Sequence, residues 1–315
     1  MMMSFNEFCD SVVNNMAFYM PKKFQNMEIN IQHPSKVNYG TLTALTFREP
    51  SSSMGPVIYL DDKYKGYVKE NKPMEDVMKE IASQVVRSFS DMPDVNKMAS
   101  SVLDVMSSWE KAKEHVYPYA IGAERNKTLL KNTPHKTMGD ISCVFRVRLY
   151  EGEDQEGSVL IDDEKMTRFG VNKNELFSTA AANMLKNDPP FLIKMEDVFK
   201  PNKRNFLSDD KEIDISSDDI PLFILTDERM SSGAVDIFLP GILEKIQKKF
   251  PDGFVVLPSS IHEVLILPDP DKFGDADSLV ELIKGVNSSA VDKEEQLSDK
   301  PHYYDAEKKA LYCKN

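Results

Sequence analysis

Residues Phe254 to Asp269 read FVVLPSSIHEVLILPD, the most apolar stretch of an otherwise polar chain. Two runs of aliphatic and β-branched residues flank a Pro-Ser-Ser break, a pattern typical of two strands joined by a short turn. Between the apolar runs lie the polar side chains of Ser259, Ser260, His262 and Glu263. We therefore predict a central β-hairpin whose polar turn is the first place to search for a functional site.

Ser260 and His262 are the catalytic candidates in this turn. Residues two apart share one face of an extended strand, so a hydroxyl and an imidazole could meet as a nucleophile and its base. Glu263 would face the other side, no acid is nominated for a triad, and the Gly-x-Ser-x-Gly pattern of a hydrolase is absent. We favour the alternative in which the serines satisfy the turn backbone and His262 or Glu263 bonds a neighbouring loop.

Polar groups on an apolar scaffold also resemble a ligand site, so Ser259, Ser260, His262 and Glu263 are candidate binding residues as well. Gly233 joins them, because Ser231-Ser232-Gly233 lies between a predicted strand and a predicted helix, where backbone N–H groups could hold a phosphate. Neither Gly-x-x-x-x-Gly-Lys-Ser/Thr nor Gly-x-Gly-x-x-Gly occurs there. No nucleotide or other cofactor is therefore predicted.

No metal site is predicted. His262-Glu263 lacks the second histidine of a His-Glu-x-x-His motif. The other histidines are scattered along the chain, at His33, His115, His135 and His302. An acidic segment from Ser208 to Asp219 lacks the ligand spacing of a calcium loop, so we expect a solvated loop there. The cysteines form no Cys-x-x-Cys pair and are expected to be reduced thiols: Cys9, Cys143 and Cys313.

Composition and net charge limit which partners and which cellular location we predict. The chain has 315 residues and a net charge of -12. This charge repels a phosphate backbone, so a nucleic-acid partner is not expected, whereas a protein partner is compatible with it. No apolar run reaches the roughly 20 residues of a membrane helix, and no signal-peptide pattern occurs, so a cytoplasmic location is predicted. The sequence leaves the oligomeric state open.

Periodicity predicts an α+β fold with two lobes and an extension. Residues 1–115 are expected to form a mostly helical lobe with a β-hairpin, in which Ser4 and Glu7 form a capping box and Pro56 lies in a first helical turn. Residues 116–290 are expected to form an α+β lobe with an antiparallel or mixed sheet. Residues 291–315 are a charged C-terminal extension, predicted as a short hairpin or a docked segment.

Two local patterns in the second lobe are especially clear. From Ile141 to Leu149, apolar residues alternate with Ser142, Arg146 and Arg148, which predicts a half-buried strand. Further along, Asn172 followed by Glu175 predicts the beginning of a helix. Both patterns are local, so they predict individual elements rather than how the elements pair.

The segment Leu257-Pro258-Ser259-Ser260-Ile261-His262-Glu263-Val264 resembles an uncharacterised bacterial family, domain of unknown function 5688, found mainly in gut clostridia. Other blocks similar to this family occur along nearly the whole chain: Ile58-Tyr59-Leu60, Val171 to Asn183, Gly233-Ala234 with Pro240 to Leu243, and Leu297-Ser298-Asp299 with Tyr303-Tyr304-Asp305. The resemblance implies a bacterial, intracellular protein. It transfers no catalytic residue, because it brings no known activity.

Together these patterns predict an intracellular protein of unknown function that acts as a non-enzymatic interaction or ligand-binding module. The alternative is a hydrolase-like enzyme that uses Ser260 and His262. The two hypotheses differ in one requirement, because only the enzyme needs the serine, the histidine and an acid to converge in one cleft.

Overall fold

The computed structural model describes residues 2–50, 52, 54–91, 95–151, 156–209, 211–213, 222–268 and 275–314. Contacts within the chain divide it into two compact units, Met1–Ser107 and Ser108–Asn315. The predicted α+β class is confirmed, since helices accompany sheets whose described strand pairs are antiparallel. The domain boundaries predicted from the sequence, after residues 115 and 290, remain predictions.

Helices supply most of the first unit. They are α1 (Phe5–Tyr19), α2 (Leu60–Glu70), α3 (Met74–Asp91) and α4 (Val95–Val105). The predicted capping box is present, because the Ser4 hydroxyl accepts from the Glu7 N–H and the Glu7 carboxylate accepts from the Ser4 N–H at 2.8 Å. Apolar residues at helical spacing turn one face of α1 into the core of this unit: Phe8, Val12 and Met16.

Three strands of the first unit form an antiparallel sheet in the order β1-β4-β5. The strands of this unit are β1 (Glu28–Gln32), β2 (Ser35–Lys36), β3 (Gly40–Thr41), β4 (Ala44–Arg48) and β5 (Val57–Tyr59). The predicted hairpin is present as β1 and β4, and β2 pairs with β3 within their connection. The prediction that Pro56 lies in a helical turn was wrong. Its carbonyl accepts from the Phe47 N–H at 3.0 Å, which extends the chain into β5.

The second unit contains a smaller antiparallel sheet in the order β6-β8-β7, with β9 also paired to β8. Its strands are β6 (Val116–Gly122), β7 (Lys136–Met138), β8 (Ile141–Glu151) and β9 (Glu156–Leu160). The strand predicted from Ile141 to Leu149 is thus the central strand β8.

Four described helices lie before, between and after these strands in the chain. They are α5 (Trp109–Ala112), α6 (Lys127–Leu130), α7 (Asp163–Phe169) and α8 (Lys173–Asn187). The predicted cap of α8 is present, because the Asn172 side chain accepts from the Glu175 N–H at 3.0 Å. Phe177 on α8 meets Phe145 on β8 edge to face, with ring centroids 6.3 Å apart, so α8 packs on the apolar face of the strand.

The second unit also contains a six-stranded antiparallel sheet, in the order β10-β11-β13-β12-β14-β15. Its strands are β10 (Pro190–Lys194), β11 (Phe223–Asp227), β12 (Phe254–Leu257), β13 (Glu263–Pro268), β14 (His302–Asp305) and β15 (Ala310–Cys313). The predicted central hairpin is confirmed as β12 and β13, which pair from Phe254 with Pro268 to Leu257 with Leu265. Two helices accompany the sheet, α9 (Ile242–Lys249) and α10 (Ala276–Ala290).

The C-terminal residues belong to this sheet. Strands β14 and β15 form a hairpin, and Val255 of β12 lies opposite Tyr303 of β14. Tyr303 is buried in one cluster with Val255 and with Leu279 and Ile283 of α10. Of the two predicted forms of this segment, the hairpin is therefore the one observed. Within the described ranges, the chain has no helix that combines the length and apolarity needed to cross a bilayer.

Candidate functional site

The turn between β12 and β13 is held by hydrogen bonds from its own residues and from a second segment of chain. Ser260 is buried, and its hydroxyl accepts from the backbone N–H of His262 at 3.0 Å. The Ile261 N–H donates to the Glu295 carbonyl at 3.0 Å, and the Ser259 carbonyl accepts from the Leu297 N–H at 3.2 Å. The Ser260 hydroxyl thus bonds the backbone of His262 rather than its ring.

The imidazole of His262 binds two acceptors. Its Nδ1 lies 2.6 Å from the Ser231 carbonyl oxygen, and its Nε2 lies 3.1 Å from a Glu295 carboxylate oxygen. Partial burial lowers the pKa of His262, but the hydrogen bonds to Ser231 and Glu295 outweigh burial and raise the pKa above its ordinary value. The structure does not bring this ring to the Ser260 hydroxyl, and catalysis by the pair stays a prediction.

Glu263 is the first residue of β13 and lies opposite Thr226 of β11. Burial raises the pKa of its carboxyl group, the His262 charge lowers it, and the Glu295 charge raises it further. Glu263 and Glu295 are thus two half-buried acids beside one imidazole. This cluster is polar and partly accessible, and the Ser231 carbonyl and the Glu295 carboxylate hold the His262 ring in place.

The loop that follows β11 donates backbone hydrogen bonds to a carboxylate of the protein, that of Asp227 at the end of β11. The Asp227 carboxylate accepts from the Ser231 N–H at 3.1 Å and from the Ser232 N–H at 2.7 Å. The Gly233 N–H donates to the His262 carbonyl at 2.9 Å. A Cβ at Gly233 would lie 2.2 Å from the Asp227 backbone, so this position requires glycine. The N–H groups considered for a phosphate therefore point at acceptors within the protein.

The same loop carries Arg229 to a cleft of about 450 Å³ in the second unit. Buried Asp188 lies between two guanidinium groups, 2.8 Å from Arg229 Nε and 3.4 Å from the Arg148 guanidinium. The Arg148 guanidinium stacks on the Tyr117 ring, 4.6 Å from its centroid. Other polar residues in the lining are Glu114, His115, Asn183, Lys186 and Asn187. The sequence predicted the strand that carries Arg148 but not this cleft.

A buried acid lies just beyond the loop. Asp236, in the 3-10 helix Gly233–Phe238, is fully buried, and neither of its carboxylate oxygens has a hydrogen-bond partner among the described residues. Burial raises the pKa of Asp236 well above its ordinary value, and the charges of Asp227 and Asp188 raise it further. Asp236 therefore keeps its proton to a higher pH than an exposed aspartate does.

A second cluster joins the β7–β8 turn to the C-terminal hairpin. His302, with no exposed side-chain surface, has its Nε2 atom 2.9 Å from Asp140 Oδ1 and 3.4 Å from Cys313 Sγ. Burial lowers the pKa of His302, but contacts with Asp140 and Cys313 raise it to about 9. Sequence reasoning missed this cluster because 162 positions separate Asp140 from His302. No local spacing carries that signal.

The acidic segment from Ser208 to Asp219 lies partly outside the described residues. Asp209, which is described, accepts from the buried Lys249 ammonium at 2.6 Å. Hydrogen bonds, first of all from Lys249, lower the pKa of Asp209 to about 2. At least this acid of the segment therefore pairs with a cation of the protein, and the predicted solvated loop stays a prediction for the others.

Comparison with protein families gives one result that covers almost the whole chain. The matching model is described as a family of unknown function (DUF5688), and it aligns with residues 5–306. The chain belongs to this family. The predicted resemblance to DUF5688 is thus confirmed, and the match includes the β12–β13 turn, the loop after β11, and His302. No curated protein and no solved structure matches this DUF5688 chain.

Proposed function

We propose that this DUF5688 member is a non-enzymatic binding module that takes a small molecule with a carboxylate or phosphate group in the Arg148–Arg229 cleft. The convergence of these two guanidinium groups on a cleft of about 450 Å³ carries the proposal. Small-molecule sites usually occupy about 300–1,000 Å³. Guanidinium groups recognise planar oxyanions by paired N–H donors, so the cleft suits an anionic group.

The preorganisation of the cleft supports this function. Asp188 fixes both arginines, and the Tyr117 ring fixes the plane of Arg148. Because these groups are already held, a ligand would not have to order them, which reduces the entropic cost of binding. The aromatic face also offers an apolar surface beside the charges.

The residues predicted from the sequence act here by positioning. His262 bonds the Ser231 carbonyl, and Gly233 bonds the His262 carbonyl, so the β12–β13 turn holds the loop that carries Arg229. Ser260 holds the turn through the His262 N–H. Under this proposal, Ser260, His262 and Gly233 position the loop of the ligand site without contacting the ligand, and Ser259 and Glu263 belong to the same polar turn.

Thermal unfolding with a panel of anions tests the proposal. Inorganic phosphate, citrate and glucose 6-phosphate serve as probes, with glucose as the uncharged comparison. We expect at least one anion to raise the Tm, and Arg229→Gln to weaken that anion by about tenfold or more in calorimetric titration, or about 1.4 kcal/mol. Arg168→Gln is the matched control, since Arg168 forms an exposed pair with Glu164 on α7.

Two results would contradict the proposal. One is a wild-type protein whose Tm no anion of the panel changes, and the other is an Arg229→Gln variant that binds as tightly as the wild type. Labelling of Ser260 by an activity-based probe, lost in Ser260→Ala, would instead favour the hydrolase-like alternative. The proposal also includes a bacterial origin, a cytoplasmic location and a protein partner. Affinity purification from the native host tests whether there is such a partner.

A further inference from the structure

We propose that Asp140, His302 and Cys313 form a binding site for a divalent transition-metal ion, best matched by Zn²⁺, with a fourth coordination position for water or an exchangeable ligand. The site lies between the β7–β8 turn and the β14–β15 hairpin, and it does not depend on the anion cleft. Its donors are one carboxylate oxygen, one imidazole nitrogen and one sulfur.

The distances suit a tetrahedral ion. One donor atom from each residue lies within 4.8 Å of the others, with Nε2 at 2.9 Å from Asp140 Oδ1 and 3.4 Å from Cys313 Sγ. Zinc bound at about 2.0–2.1 Å from nitrogen and about 2.3 Å from sulfur places tetrahedral donors roughly 3.3–3.6 Å apart. Small shifts of the side chains would therefore admit the ion.

The orientation of the His302 ring is that of a metal ligand. Its Nδ1 lies 3.0 Å from the Lys300 carbonyl oxygen, which only accepts, so Nδ1 carries a proton. Metal-bound histidines commonly donate their second ring nitrogen to such a carbonyl. The other nitrogen, Nε2, faces the cluster, 3.3 Å from the Asp140 backbone nitrogen, 2.9 Å from Asp140 Oδ1 and 3.4 Å from Cys313 Sγ. A metal ion would bind Nε2 in place of a proton.

The Asp140 carboxylate is oriented in the same way. Its Oδ2 accepts from the Ser298 hydroxyl at 2.8 Å, which leaves Oδ1 directed at the imidazole. Oδ1 is buried and makes no well-aligned hydrogen bond within the described residues, although Nε2 lies only 2.9 Å away. A nitrogen lone pair and a carboxylate oxygen repel at this distance unless a proton or a cation lies between them. The metal ion is the cation that also engages the nearby thiol.

Backbone geometry allows these groups to meet. Gly139 has φ +59, and a Cβ there would lie 2.3 Å from the His302 ring and 3.2 Å from Cys313 Sγ. Only glycine lets the β7–β8 turn come this close to both ligands. The mixed donor set favours Zn²⁺ over Mg²⁺ and Ca²⁺, which prefer oxygen ligands alone. Three protein ligands leave one position open on a tetrahedral ion.

Metal binding by the full chain tests the site. Reduced protein is stripped with a chelator, dialysed and titrated with Zn²⁺ in competition with a chromophoric chelator. We expect one zinc ion per chain and a loss of affinity of about 100-fold or more in Cys313→Ser, since loss of an outer partner alone costs about 10–100-fold. Cys9→Ser is the matched control, because Cys9 is a buried cysteine of the first unit.

Cobalt gives a spectroscopic readout of the sulfur ligand. We expect Co²⁺ to produce a thiolate-to-cobalt charge-transfer band in the wild type and in Cys9→Ser, and no such band in Cys313→Ser. If that variant fails to fold, Ser298→Ala replaces it. This change keeps all three ligands, removes the hydrogen bonds of the Ser298 hydroxyl to Asp140 and from the Lys300 N–H, and should weaken zinc about 10-fold or more.

The wild type alone provides a further measurement. Zinc should slow alkylation of Cys313 by iodoacetamide, measured by mass spectrometry of its peptide, while the buried Cys9 and Cys143 change little. Absence of stoichiometric zinc, zinc binding unchanged in Cys313→Ser, or cobalt binding without the charge-transfer band would each overturn the proposal. Any of these results would leave a proton alone between Asp140 and His302.

Discussion

At the scale of single residues, the protonation state of His262 determines how many hydrogen bonds its ring can donate. Its ring donates to the Ser231 carbonyl and to the Glu295 carboxylate, and a neutral imidazole can donate only once. The loop that carries Arg229 is therefore tied to the β12–β13 turn most firmly while His262 is protonated. Loss of that proton removes one of the two hydrogen bonds.

Stability should depend on pH through His262. Its folded pKa is raised, so its contribution is fully present below the unfolded pKa of about 6.5 and is lost as pH rises through the folded pKa. The side chain is about a third exposed, so solvent screening limits the contribution to about 1 kcal/mol or less. Urea unfolding from pH 5.5 to pH 9 should show a smaller decline in His262→Gln, and parallel curves would contradict this.

Asp236 should make the protein less stable as pH rises. This effect should begin at a lower pH than the effect of His262. The folded pKa of Asp236 is raised, so folding keeps a proton that the unfolded chain releases, and stability falls as pH rises above the ordinary carboxyl pKa. We expect Asp236→Asn to be more stable than the wild type at pH 7, by about 1–3 kcal/mol, with the difference vanishing near pH 3. Urea unfolding measures both, with the exposed Asp277→Asn as control. An Asp236→Asn variant less stable at pH 7 would refute the account.

At the scale of elements, two glycines differ in whether the structure has room for a side chain in their place. Gly139 lies in the β7–β8 turn at positive φ against the His302 ring, whereas Gly285 lies inside α10, where an added Cβ would meet nothing within 4 Å. Gly139→Ala should lower the free energy of unfolding by roughly 2 kcal/mol or more, through steric overlap and backbone strain. Gly285→Ala should raise it by about 0.5–1 kcal/mol. Chemical unfolding of both variants compares them, and equal effects would contradict the prediction.

The elements that the sequence predicts well are those with local signals. The Ser4–Glu7 capping box, the Asn172 cap and the β12–β13 hairpin each depend on residues a few positions apart. Strand β5 could not be predicted in this way, because it is extended by pairing with β4 and by the Phe47–Pro56 hydrogen bond. The helix signals near Pro56 do not determine the local structure, because tertiary contacts such as this strand pairing outweigh weak helix propensities.

The candidate sites show the same limit more strongly. The sequence singled out the polar turn at Ser260 and His262, and it identified the strand that carries Arg148. It could not bring Arg148 to Asp188 and Arg229, or Asp140 to His302, because these contacts depend on how strands from distant segments pair. Single-sequence periodicity contains no information on such pairing.

At the scale of the whole molecule, each unit has strands that pair within it and a hydrophobic core of its own. We therefore expect fragments 1–107 and 108–315 to fold separately, each with a single cooperative transition in urea followed by circular dichroism. A fragment that binds a hydrophobic dye and unfolds without a cooperative transition would contradict the expectation for that unit.

The position of β14 between β12 and β15 has a consequence for synthesis on the ribosome. The hairpin β12–β13 can form once residue 268 has emerged, but β12 keeps an open edge until residues 302–305 have emerged. Asp140 likewise waits for His302 across 162 positions. During this interval, the nascent second unit exposes an apolar strand with one unpaired edge, which is the kind of surface that chaperones protect. Completion of the sheet and assembly of the Asp140–His302–Cys313 cluster are thus one late event.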